Sequence, residues 1–155
     1  MMLPLYGMIR NHELPELYII KRIRFELDRI NSFNQVVSLF VNKLRLNYAA
    51  NENVYMFCYL NDGTPIGICE VSKGGIKSSF CSMNIIGRYI LLTGCDKFIL
   101  IHNHPDNNCK PSGNDLLVTN NVMEVANLLE VNMEEHLIIC RKGWFCILNE
   151  RGFDL

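Results

Sequence analysis

Phe98-Ile99-Leu100-Ile101-His102-Asn103-His104-Pro105, followed by Pro111-Ser112-Gly113-Asn114-Asp115, is the stretch on which the reading of this chain turns. Four apolar residues in a row signal a short buried strand. Alternate residues of a strand point the same way, so His102 and His104 offer imidazoles to one point while Asn103 turns aside. Pro105 ends regular pairing and opens a loop. The chain then enters a helix expected over Leu116 to Leu129, with Asp115 in its first turn. Two histidines and a carboxylate can hold a tetrahedral zinc ion with one position left for water, which is the layout of a catalytic site. Water in that position has its pKa lowered to about 7. Ser112 is placed to hydrogen-bond a developing oxyanion, and a glutamate is still required to carry the proton of water to a leaving amine. The same residues also permit a plainer role, in which Ser112 caps the helix and Asp115 is its first-turn acid. The two roles are compatible.

Working outward, Val54 to Leu60 is continuously apolar and aromatic, as a strand buried on both faces would be. Asn61-Asp62-Gly63 is a hairpin turn, and Thr64 to Ser72 reads as the partner strand, stopped by Gly74-Gly75. Ser82 can cap a helix running to Leu92, closed by Gly94. His136 to Arg141 and Trp144 to Leu148 read as strands joined by Lys142-Gly143, with Trp144 and Phe145 in the core. Strands and helices alternate in the middle and hairpins stand at the ends, so the expected class is α/β, with a mixed sheet and helices against it.

The first fifty residues read differently. Arg22 with Glu26, and Arg24 with Asp28, are spaced for helical pairing. Ser32 and Gln35 form a capping-box signature ahead of Phe33, Val36, Val37, Phe40, Val41 and Leu44 at helical spacing. The expectation is a helical segment over 1–50 packed on a core over 51–155. Lys21, Arg22, Arg24 and Arg29 are candidates for phosphate contacts, though acids are interleaved among them.

A net charge of −1 provides no global field for nucleic acid. Met1 to Ile9 is too short to span a membrane and lacks the features of a signal peptide, so a cytoplasmic protein without a membrane role is expected. Seven cysteines without a CxxC pair suit reduced, buried thiols in place of a disulfide framework. Cys109 is expected exposed at the loop tip, although a thiolate there would also bind zinc.

At these residues the chain resembles the JAMM (JAB1/MPN/Mov34) metalloenzymes, most closely their RadC-like bacterial branch. The shared core is His-x-His, seven residues, Ser, two residues, Asp, met here by His102, His104, Ser112 and Asp115. His102-Asn103-His104-Pro105, Pro111-Ser112, Thr119 and the strand from Glu135 to Ile139 are similar to that branch, and the likeness covers about Asn51 to Leu155. The resemblance implies a three-layer, cytidine-deaminase-like α/β/α fold. It also implies zinc-dependent hydrolysis of a peptide or isopeptide bond in a protein or peptide substrate, and the branch is commonly associated with DNA repair.

Two departures stand out. Asp106 replaces the serine usual after His-Pro, and is a candidate extra ligand or turn cap. The family's catalytic glutamate aligns best with Asn53, and Glu52 lies one residue earlier. A one-residue slip on a strand reverses the side-chain direction. Glu52 is the expected general base, provided the strand begins after it or a bulge intervenes. A site without that base would be a binding or scaffold module. His136 is expected beside the site or on the strand surface, not as a ligand.

Overall fold

The computed structural model describes residues 1–11, 14–74 and 81–155. Among these, eight strands and three α-helices occur: β1 (Met2–Asn11), β2 (Leu14–Arg24), α1 (Phe33–Asn42), β3 (Asn53–Tyr59), β4 (Pro65–Lys73), α2 (Met83–Thr93), β5 (Lys97–Asn103), α3 (Gly113–Leu128), β6 (Asn132–Ile139), β7 (Gly143–Cys146) and β8 (Arg151–Asp154). Gly75, one of the two glycines expected to stop the second strand, lies outside the described residues.

All strands join one mixed sheet in the order β2-β1-β4-β3-β5-β6-β7-β8. The β1–β4 and β5–β6 pairs are parallel and the others antiparallel. Every residue of β3 is buried, as its unbroken apolar run requires. The two sides of the central strands feed two cores. Tyr55, Phe57, Tyr59, Ile99, Ile101, Leu137 and Ile139 pack with α1 through Val36, Val37, Leu39 and Phe40. Val54, Met56, Cys58, Phe98 and Leu100 pack with α2 and α3 through Ile86, Tyr89, Ile90, Val122 and Ala126. The result is the three-layer α/β/α arrangement expected of a JAB/MPN-type domain.

Local signals explain most element ends. The Gln35 side chain accepts from the backbone N–H of Asn31 at 2.8 Å and of Ser32 at 3.3 Å, anchoring the start of α1. Gly94 closes α2 in the left-handed region (φ 62°), donating its N–H to Ile90 at 3.1 Å. Gly63 turns the β3–β4 hairpin at φ 86°, where a Cβ would meet the Ile30 carbonyl oxygen at 2.4 Å.

The helical reading of the N-terminal segment holds for α1 and fails before it. Residues 2–11 and 14–24 are strands of one hairpin on the sheet edge. Leu3 and Leu5 alternate inward on β1, whereas β2 carries exposed Leu14, Tyr18, Ile19 and Ile20 on its two faces. A register shift between Leu5 and Tyr6 skips Ile20 on β2 and breaks its alternation. The expected i,i+4 pairs do not form across a helix turn; Arg24 meets Glu26 at 3.3 Å and Arg29 meets Asp62 at 3.3 Å.

A second correction concerns cysteine. Cys109 and Cys140 form a disulfide with Cα atoms 5.5 Å apart, so Cys109 is neither a free tip thiol nor a metal ligand. The β5–β6 pairing and the return of the loop bring together two residues 31 apart in sequence, which their spacing alone does not disclose. The other five cysteines are free and buried, as expected.

Candidate metal centre

The site forms where the C-terminal end of β5 meets the N-terminal end of α3. His102 shares its strand face with Phe98 and Leu100, so it emerges on the α2–α3 side of the sheet. Its neighbours in register are Val54 on β3 and Ile138 on β6. From α3, Asp115, Thr119, Val122 and Ala126 form the buried stripe, and the first two of these face the histidines.

Glu52, His102, His104 and Asp115 converge, with one ligand atom from each lying within 4.8 Å of all the others. The two Nε2 atoms of His102 and His104 are 2.9 Å apart. Asp115 Oδ1 lies 3.3 Å from His102 Nε2, and Oδ2 lies 3.3 Å from His104 Nε2. Val54, Cys81, Leu100 and Val118 wall the apolar side of an adjoining cavity of about 10 Å³, the scale of one small group.

Hydrogen bonding decides which ring nitrogens carry protons. A carbonyl only accepts, so His104 Nδ1–H donates to Asn108 O at 2.6 Å. Thr119 Oγ1 donates to Asp115 O at 2.6 Å and therefore accepts from His136 Nδ1–H at 2.7 Å. His136 Nε2 is then an acceptor, and His102 Nδ1–H donates to it at 2.8 Å. Burial, reinforced by the His102 and His104 rings, holds His136 well below its ordinary pKa of 6.5 and so neutral. In the neutral rings both facing Nε2 atoms carry lone pairs aimed at one another and at a carboxylate. A metal ion would satisfy this donor set, as would a proton held between a ring and Asp115. Metal–nitrogen bonds of about 2.0–2.1 Å in a tetrahedral site place ligand nitrogens about 3.3 Å apart, close to what is observed.

The electrostatics agree. Burial would raise the Asp115 pKa, but its contacts with the His102 and His104 rings and with Ser112 overcome it and hold the carboxyl far below its ordinary range. At His104 burial pulls the pKa down, and the Asp115 carboxylate, the Asn108 carbonyl and Glu52 together raise it above 6.5.

Glu52 immediately precedes β3 on the face of Val54, the side on which His102 emerges, so alternation itself turns Glu52, and not Asn53, toward the cluster. Asn53, the better-aligned position, is tied to the backbone: its N–H donates to Asn103 Oδ1 at 2.9 Å and its Nδ2 to Asn51 O at 3.2 Å. Ser112 and Asp115 form a capping box, with Asp115 N–H donating to Ser112 Oγ at 3.2 Å and Ser112 N–H to Asp115 Oδ2 at 2.7 Å, and Ser112 Oγ also donates to Asp115 Oδ2 at 2.6 Å. The plainer role for Ser112 is thus met in full, and its proton is already engaged. Asp106 does not join the cluster; it is exposed and caps its own turn by accepting from Asn108 N at 3.0 Å. His136 is buried behind His102.

Sequence reasoning missed Asn103, which it had merely turned aside. Asn103 Oδ1 takes the Asn53 N–H, and its Nδ2 donates to Asn51 O at 3.0 Å. It therefore clamps the backbone on both sides of Glu52. A polar residue between two candidate ligand positions on a buried strand was the signal available.

The RadC-like JAB domain family matches residues 30–153, so the likeness begins upstream of α1 and not at Asn51. A UPF0758 protein of Moorella thermoacetica is 30% identical over 130 residues, 83% of this chain and 56% of its own length. One from Thermotoga maritima is 26% identical over 131 residues, 84% of this chain and 59% of its own. One from Flavobacterium johnsoniae is 27% identical over 103 residues, 66% of this chain and 45% of its own. The chain thus spans about half the length of the curated relatives it matches. With the α/β/α layers, the His-x-His strand end and the family match in agreement, the chain belongs to the RadC-like JAB domain family.

Proposed function

We propose that this domain is a zinc-dependent hydrolase of a peptide or isopeptide amide bond. The observation that carries the proposal is the convergence of two imidazole Nε2 lone pairs and the Asp115 carboxylate beside Glu52. His102, His104 and Asp115 would hold the ion; nitrogen and carboxylate donors in this number suit zinc with an open position. A bound zinc ion supplies Lewis-acid polarisation of the scissile carbonyl and acidifies a water.

The remaining chemistry belongs to the chain. Glu52 takes the proton of the attacking water and delivers it to the leaving amine. Asn103 holds the Glu52 backbone by its two flanking residues. Ser112 donates to the carbonyl oxygen as negative charge develops there, which requires its hydroxyl to exchange its present bond with Asp115 Oδ2 for one with substrate. The substrate is a protein or peptide. Among the described residues no helix is long and apolar enough to cross a membrane.

The test is hydrolysis of a panel of peptide and isopeptide substrates by wild type and Glu52→Gln. Turnover by wild type with a loss of at least about 100-fold in Glu52→Gln is expected. Turnover indifferent to the substitution removes Glu52 from the mechanism. A wild type that takes up zinc and cleaves none of the panel favours the scaffold role. Of the four cations that could meet a nucleic acid in the first segment, Arg24 is paired with Glu26 and Arg29 with Asp62, and Lys21 and Arg22 are exposed.

A further inference from the structure

Thr119 and His136 are buried behind the cluster, His136 also lining the small cavity beside it, and each hydrogen bond made by their polar side chains leads toward a candidate ligand. From the zinc reading, and resting on it, we infer that Thr119 and His136 are positioning residues that lock the His102 imidazole in its Nδ1–H tautomer and so aim the Nε2 lone pair at the metal.

Hydrogen-bond direction along the relay fixes the ring states. Thr119 Oγ1 has a single proton, and it goes to the main-chain carbonyl of Asp115 at 2.6 Å. The hydroxyl can then only accept from His136 Nδ1, 2.7 Å away. His136 accordingly presents an unprotonated Nε2 to His102 Nδ1 at 2.8 Å. His102 donates there, so in the neutral ring the lone pair lies on Nε2, the atom that faces His104 and Asp115. Thr119, His136 and His102 are each about 2% exposed, so no water competes for these bonds. The relay also joins three elements. His102 comes from β5, His136 from β6, and Thr119 from α3, one helical turn beyond Asp115. A single chain of bonds therefore fixes both the ring state of one ligand and its distance from another.

Thr119→Val keeps the shape of the side chain and removes both the donor and the acceptor. Thr119→Ser keeps the hydroxyl. Two readouts are combined: zinc affinity by competition with a chromophoric chelator, and the tautomer of His102 in metal-free, ¹⁵N-histidine-labelled protein by long-range ¹H–¹⁵N correlation. The relay requires the Nδ1–H form at His102 in wild type, loss of that preference in Thr119→Val, and its recovery in Thr119→Ser. Zinc affinity should fall about 10- to 100-fold in Thr119→Val and stay close to wild type in Thr119→Ser. A His102 carrying its proton on Nε2 in wild type overturns the inference even if Thr119→Val does not fold. Equal affinity and an unchanged tautomer in Thr119→Val overturn it as well. A wild type that binds no zinc overturns the metal-site reading instead, and the tautomer measurement still decides the relay.

Discussion

Replacing Glu135 by alanine tests how the fold holds the strand that backs the site. Glu135 is fully buried between the core and the turn that follows β7. Its Oε1 accepts from the backbone N–H of His136 at 2.8 Å and of Leu148 at 2.7 Å. Its Oε2 accepts from Asn149 N at 3.3 Å and Asn149 Nδ2 at 2.6 Å. Alanine removes all four acceptor contacts. The His136 N–H is buried and is left without a partner, at a cost of about 1–3 kcal/mol. Leu148 and Asn149 are exposed and regain water, so each of their bonds forfeits only about 0.5–1 kcal/mol. Relief from holding a carboxylate out of water offsets part of this. The net expectation is about 3 kcal/mol, a large share of the 5–15 kcal/mol typical of a domain. Glu135→Gln retains Oε1 for His136 and Leu148 and sets an amide NH₂ against Asn149, for about 1 kcal/mol. The assay is urea unfolding of metal-free protein followed by circular dichroism, with the midpoint compared at constant slope. A loss under about 1 kcal/mol in Glu135→Ala, or an equal loss in the two variants, would refute the reasoning.

Three further outcomes are expected. The stability of metal-free protein should decline from pH 6 to pH 8, because the raised His104 pKa contributes stability that is complete below 6.5 and lost as pH rises through its folded value. Zinc-loaded protein should show the opposite slope, since protons compete for the same nitrogen; parallel slopes in thermal melts with and without zinc would contradict this. Cys140→Ser, or reduction by a dithiol, frees the loop that carries Asn108 and the His104 contact, and should weaken zinc binding while leaving the sheet intact; hydrogen exchange confined to residues near 105–112 would show it. Ser112→Ala removes the cap of α3 and should cost about 1 kcal/mol in chemical unfolding, with no loss at all excluding the capping role.

Much of this was legible in the residues because one physical cue dominated each place. Val54 to Leu60 and Phe98 to Ile101 are apolar on both strand faces because both faces are covered. His102 and His104 emerge together because β5 continues through Asn103. Ser112 and Asp115 mark the start of α3, and Asp115 also enters the candidate metal cluster, so two signals coincide. The edge hairpin was illegible for the converse reason. β2 has solvent on one flank, exposed apolar residues on both faces and a bulge that resets its alternation, so charges at helical spacing spoke louder than its pattern. The terminal strand β8 escaped notice because all four of its residues are exposed. Asn103 and the Cys109–Cys140 pair depend on partners distant in the chain, which no local window contains.

The claim beneath all of this is that His102, His104 and Asp115 bind one divalent ion. The direct measurement is elemental analysis with a zinc competition titration on wild type and His104→Ala, with folding checked by circular dichroism. About one zinc per chain in wild type, lost in a folded His104→Ala, is the predicted result. A folded wild type that takes up no zinc, or a His104→Ala protein that holds it as tightly, would contradict the account.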